Sequence, residues 1–218
     1  MQTLHILNGE EMKKAFHHKG HLEGEPVIPF NEAMCAGETC ETIFSEAFIK
    51  IRALTHGVSE NDYRRITIEN LEEVFHEERD HLKLWFDEDM FCQINLLTLL
   101  AWFDQIGYEG KVELCLVSPQ FEPLASYPIK VSGYHSVYKQ VLIHREFPTR
   151  VTLPPLKKGI HLYFQYKDEN GELVRFIQDH PDVREGKLVE LMIGTFQTFG
   201  LGDVQYLQLI RSVRNAKQ

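Results

Sequence analysis

What this chain lacks narrows its class before any motif is read. No apolar run approaches the roughly eighteen residues a helix needs to cross a bilayer, so no membrane span is expected. The start, MQTLHILNGEEMKK, has no basic cluster and no long apolar stretch before a small-residue cleavage site, and a secretory leader is not expected. Cysteine is scarce: Cys35, Cys40, Cys92 and Cys115 are four in 218 residues, irregularly spaced. That usage argues against a disulfide framework and reads as reduced thiols in a cytoplasmic protein. Cys35 and Cys40 have no second pair at metal spacing, and His17, His18 and His21 sit at a helix end that reads as solvent-facing, so no zinc motif forms. There is no GxxxxGK loop, no GxGxxG after the first strand and no GxSxG elbow. These absences disfavour a P-loop nucleotidase, a standard dinucleotide dehydrogenase and an elbow-type hydrolase.

Basic residues are also short, but only in front. Residues 1–129 carry 10 Lys/Arg against 23 Asp/Glu, a net of −13, whereas residues 130–218 carry 13 against 9, a net of +4. The front part should repel nucleic acid. The back part either presents an ordinary solvated surface or suits an anionic partner.

What is present alternates. TLHILNG, EPVIPF, HLKLWF and KVELCLVS read as strands. EEMKKAFHHKG, TIFSEAFIKIRALTHG, TIENLEEVFHEE (opened by Thr67) and MFCQINLLTLLAWFDQIG read as amphipathic helices. The order β-α-β-α-α-β-α-β over residues 1–118 predicts a Rossmann-like, three-layer α/β fold with a mostly parallel sheet. The proline-bearing stretch 118–133 is the best boundary, giving an α/β domain over 1–122 and a smaller all-helical domain over 123–218. Phe164, Phe176, Phe196, Tyr206 and Leu209 are expected to build a helical core of its own in that second part.

In open parallel sheets ligands bind beyond the carboxyl ends of the strands, where the crossover loops converge. Asn8, Gly9, Glu10 and Glu11 follow the first strand, Asn31 and Glu32 the second, and Asp87, Glu88, Asp89, Cys92, Gln93 and Asn95 the third. One acid at the third joint caps the helix, but three exceed that need. Asp89, with Gln93 four residues on, is expected to face a ligand. Cys92, one turn into the helix, is a candidate nucleophile because a helix N-terminus favours thiolate, although the neighbouring carboxylates oppose it. Asp87, Asp89, Glu10 and Glu32 offer the oxygen ligands that Mg²⁺ prefers.

The segments LHILNGE, FNEAMCAG and LWFDEDMFCQINLLTLLAWF resemble the bacterial domain of unknown function numbered one-eight-three-five, over most of residues 1–118. The resemblance implies an α/β fold and points to Asn8, Gly9, Asn31, Glu32, Asp89, Gln93 and Asn95. This chain departs from the family pattern in having Glu10 where Asp is frequent and Glu88 where His is frequent, and Cys92 is not a fixed feature of that pattern.

The expectation for function is a small polar or phosphorylated ligand, such as a nucleotide, held by Asn8, Gly9, Asn31, Glu32, Asp87, Asp89 and Gln93. If chemistry follows, hydrolysis or group transfer is expected, with Asp89 and Cys92 as the catalytic candidates. The alternative is a regulatory or scaffold protein. FQTFGLGDVQYLQLI resembles a helix–turn–helix that would offer Gln205, Gln208, Arg211 and Arg214 to DNA, or a face to a protein or a second copy of the chain.

Overall fold

A computed structural model describes residues 3–75 and 80–216. Strands β1 (Thr3–Leu7), β2 (Val27–Pro29), β3 (His81–Asp87), β4 (Lys111–Val117) and β5 (Pro123–Ile129) form one sheet in the order β2-β1-β3-β4-β5. The first four pair in parallel and β5 runs antiparallel to β4. Strand period two sorts the side chains. Leu4, Ile6, Leu82, Leu84, Phe86, Val112 and Leu114 enter the large core, while Leu7, Trp85, Cys115 and Val117 meet Met12 and Phe16 of helix α1 (Glu10–His18) on the other face. The large-core face carries α2 (Glu46–His56) and α4 (Met90–Gln105), so the sheet lies between two helical layers.

Local chemistry sets the helix starts. Ser45 Oγ accepts from Phe48 N at 3.2 Å, so α2 begins at Glu46 rather than at Thr42, and Phe44 takes a positive φ just before the cap. Ser59 likewise caps α3 (Glu60–Tyr63). The chain continues from α3 as a π-helical turn (Arg64–Ile68) and a 3₁₀ turn (Glu69–Phe75), so the helix expected to open at Thr67 starts seven residues earlier. Its expected end, 76–78, lies outside the described residues.

Two expectations about the second half are corrected. Residues 123–129 are an edge strand of the sheet, not the opening of a helical unit. The helices that follow are α5 (Tyr134–Tyr138), α6 (Pro154–Lys167), α7 (Glu172–Gln178), α8 (Glu185–Thr195) and α9 (Asp203–Asn215). They do not enclose a core of their own: Leu156, Ile160, Leu188 and Tyr206 belong to the same buried cluster as Phe86 and Leu97. The link is α4. From Cys92 to Phe103 every residue is buried, including Gln93, Asn95 and Thr98, so α4 is not amphipathic. It is covered by the sheet on one side and by α5 and α6 on the other, and a helix apolar all round is the composition that such a position requires. At the α4–α6 crossing the backbones come close. A Cβ on Gly159 would lie 2.3 Å from Gln93 Cβ, which excludes any larger residue without movement.

The α8–α9 pair is joined by a 3₁₀ turn closed by Gly200. Gly202, not Asp203, is the N-cap of α9. Arg211 Nε donates to Glu185 at 3.0 Å, and Arg214 Nη2 donates to the carbonyls of His180, Pro181 and Val183. Both guanidinium groups offered to DNA are thus used in holding α9 to its neighbours. No helix among the described residues is long and apolar enough to cross a membrane.

Candidate functional site

The bend after β1 and the joint after β3 meet on one rim of the sheet. Asn8 N donates to Trp85 O at 3.1 Å, Asn8 Nδ2 to Cys92 Sγ at 2.9 Å, and Asn95 Nδ2 to Asn8 Oδ1 at 2.9 Å. Asn95 also bridges to the turn after β2, donating to Glu32 O at 2.6 Å and accepting from Met34 N at 2.9 Å. Asn31 Oδ1 accepts from Glu10 N at 2.9 Å, and Asn31 Nδ2 donates to Ile66 O at 3.2 Å. Amide side chains, each both donor and acceptor, thereby lock three loop ends together. The backbone at Gly9 has φ +89, a conformation that favours glycine.

The predicted residues separate into two groups along this rim. Asn8, Gly9, Glu10, Asn31 and Glu32 line a cleft of about 540 Å³. Its remaining walls come from Glu11, Phe30, His56, Val58, Tyr63, Ile66, Thr67 and Phe91. Asp87, Asp89 and Gln93 are not on it; they face the helical region. An added Cβ on Gly200 would lie 2.2 Å from Asp89 Cγ, and Gln93 lies under Gly159.

The three acids that exceeded one cap each have a local task. Asp87 Oδ1 accepts from Glu88 N at 2.6 Å and shapes the turn. Glu88 pairs with Lys158 of α6 at 2.9 Å. Asp89 is the N-cap, accepting from Cys92 N at 2.7 Å. Gln93 Nε2 donates to Asp87 O at 2.6 Å, while its buried Oε1 has no partner among the described residues. Burial, with Asp89 close by, pushes the Cys92 thiol well up, so the helix start does not produce a thiolate here. Among the described residues no group of three or more His, Cys, Asp or Glu side chains is arranged to hold a metal ion. The four acids expected to serve Mg²⁺ are dispersed, Glu10 and Glu32 on the cleft and Asp87 and Asp89 at the covered joint.

Burial, and then the charge of Asp87, raises the Asp89 carboxyl to about 6. An acid whose folded pKa lies above its unfolded value of 3.8 stabilises the fold below that unfolded value. The contribution is lost as pH rises through about 6. At neutral pH the buried charge therefore costs stability. Asp89→Asn keeps a capping oxygen and removes the charge. It should stabilise the protein at pH 8 by roughly 1–2 kcal/mol, discounted for partial solvent screening. The gain should vanish near pH 4, as thermal unfolding followed by circular dichroism at the two pH values would show.

The cleft's own electrostatics centre on Glu32, which is fully buried. Arg52, also fully buried, contacts it through Nη2 at 2.8 Å and Nε at 3.3 Å. Ala33 N donates to Oε1 at 2.7 Å, the Tyr63 hydroxyl donates to Oε2, and His56 Nε2 stands 2.6 Å from Oε1. Burial alone would raise the carboxyl, but His56 and Arg52 outweigh it and hold Glu32 down at about 2. Burial and the adjacent Glu32 push the Tyr63 phenol up, so it stays a neutral donor. Arg52 also donates to the carbonyls of Ala33, Ala36 and Glu38, which anchors the loop after β2. His56 lies nearly parallel to Tyr63, at 14°, with 29% of its side chain exposed, and its Nδ1 has no partner among the described residues.

Arg52, His56, Tyr63 and Phe91 were not singled out from the sequence. A signal existed: Arg52 falls on the buried face of α2 with Phe48, Ile49 and Ala53, and His56 follows one turn later. An arginine on an apolar stripe requires a buried anion, and Glu32 is that anion. Compared with family models, characterised proteins and solved structures, the chain matches none.

Proposed function

We propose that the chain binds a small polar ligand with a flat, weakly polar body, of the nucleoside class, in the cleft beyond β1 and β2. The observation that carries this reading is a single cleft in which two strand-end turns meet a histidine whose Nε2 is held by a buried carboxylate. Its size lies within the roughly 300–1,000 Å³ of small-molecule sites, and its make-up follows their pattern of apolar walls with a few fixed polar groups. Phe91, half-buried, lines the cleft together with the buried Phe30 and Tyr63, and the partly exposed Val58 and Ile66 offer apolar contact at the mouth. With Nε2–H directed at Glu32, His56 Nδ1 is left as an acceptor for a ligand N–H or O–H. In a hydrolysis or group transfer the same nitrogen would take the proton. Glu10 and Glu11 make the mouth acidic, so a phosphorylated ligand would need a counter-ion such as Mg²⁺. The resemblance to domain one-eight-three-five accords with a site here, since Asn8, Gly9, Asn31 and Glu32 are among the residues it implies.

Calorimetric titration of the purified chain with nucleosides and their 5′-phosphates, with and without Mg²⁺, tests the reading. The expected result is saturable nucleoside binding, weaker for the phosphates until Mg²⁺ is added, and weakened at least about tenfold by His56→Ala through loss of the Nδ1 acceptor. Absence of binding by every compound, or binding indifferent to His56→Ala and Phe91→Ala, would remove it.

A further inference from the structure

We propose a second site, for small phosphate esters, in the groove between the edge strand β5 and the start of α6. The groove is larger than the strand-end cleft, about 730 Å³. Lys130 and Arg150 both line it, and neither makes an ion pair or hydrogen bond among the described residues. Ser132, Ser136, Thr149 and Thr152 add hydroxyl groups, and no acidic side chain is among the lining residues. Both cations are exposed and, among the described residues, without a protein counter-charge, so an anion in the groove can draw on both. A phosphate group accepts from guanidinium, ammonium and hydroxyl donors together.

Two further features set the polarity and shape of the ligand. Helix α6 is fourteen residues long and begins at Pro154, on the groove's border, with no side-chain cap at Leu153. The positive end of its dipole thus adds to the field of Lys130 and Arg150. The groove's floor is apolar, with Ile129, Val137 and Leu153 between the polar walls. Bare phosphate would leave that floor wet, whereas an ester with an aromatic or aliphatic body covers it. The same polarity appears in the chain as a whole, whose residues from 130 onward are net positive while those before are strongly negative. An anion therefore meets attraction here and repulsion at the acidic mouth of the strand-end cleft. The two sites are separate in position and opposite in charge preference, and neither proposal depends on the other.

The test is an amide ¹H–¹⁵N NMR titration of the full chain with three probes: phenyl phosphate, inorganic phosphate and benzyl alcohol. Phenyl phosphate should shift residues 127–137 and 149–154 saturably and leave Gly9 and Asn31 unmoved. Inorganic phosphate should shift the same residues more weakly, and benzyl alcohol should not saturate. Lys130→Gln/Arg150→Gln changes two exposed side chains and should keep the folded spectrum. It should weaken phenyl phosphate by roughly tenfold or more, as loss of charge-assisted hydrogen bonds requires. The proposal fails if phenyl phosphate produces no saturable shift in the groove, if the double variant binds it as well as the parent, or if benzyl alcohol binds equally.

Discussion

Arg52→Met should lower the stability of the protein by about 3–5 kcal/mol, the range for breaking a buried ion pair from one side. The size follows from what is left behind. Glu32 would remain fully buried without its main counter-charge, and the carbonyls of Ala33, Ala36 and Glu38 would lose their donor. Removing both charges is expected to cost much less, because Arg52→Met/Glu32→Gln leaves no uncompensated ion. Urea unfolding of the parent, the single variant and the double variant would measure this. A double variant as unstable as the single one would show that the carbonyl bonds, not the ion pair, dominate. The pH dependence has a defined sign. Glu32 is held at about 2, below its ordinary value of 4.5, so its contribution is fully present above the ordinary value and is lost as pH falls through about 2. In Arg52→Met the stranded carboxyl takes up a proton more readily. The gap between parent and variant should therefore be widest near neutral pH and narrow on acidification.

Gly200→Ala should cost about 2–5 kcal/mol, the sum of a left-handed backbone penalty and an overpacking term. Gly200 has φ +64, and its added Cβ would fall 2.2 Å from the carboxyl carbon of Asp89, which cannot move without leaving its cap. Gly57 supplies an internal control. It ends α2 in the same left-handed conformation, at φ +66, with nothing within 4 Å of an added Cβ. Gly57→Ala should therefore show the backbone penalty alone, about 1 kcal/mol. The difference between the two variants isolates the contact between the α8–α9 turn and the start of α4. Adding Asp89→Ala to Gly200→Ala should recover part of the loss, as expected for coupled neighbours. Equal effects of the two glycine variants in thermal unfolding would show that the turn does not bear on Asp89.

Much of the architecture is written locally. The alternation of TLHILNG, the helical spacing in EEMKKAFHH and the cap at Asp89 each depend on residues a few positions apart, so their elements appear where expected. The edge strand β5 escaped because PLASYPI has two prolines and little apolar alternation; it is a strand because β4 offers a free edge. The starts of α2 and of the helix at Glu60 escaped because serine caps outside the apolar pattern decide them.

The candidate site was legible in the same partial way. By itself the sequence determined that polar residues gather at the carboxyl ends of the parallel strands, because strand–turn–helix order puts every such turn on one rim. Tertiary structure alone decided which turns stay open. Helix α6 at Gly159 and the Gly200 turn close over Gln93 and Asp89, while Asn8, Gly9, Asn31 and Glu32 are left beside His56 and Tyr63. The physical reason is range. Capping and periodicity act within a turn or two of chain, whereas covering a carboxylate, or pairing it with an arginine twenty residues away, depends on how whole layers pack.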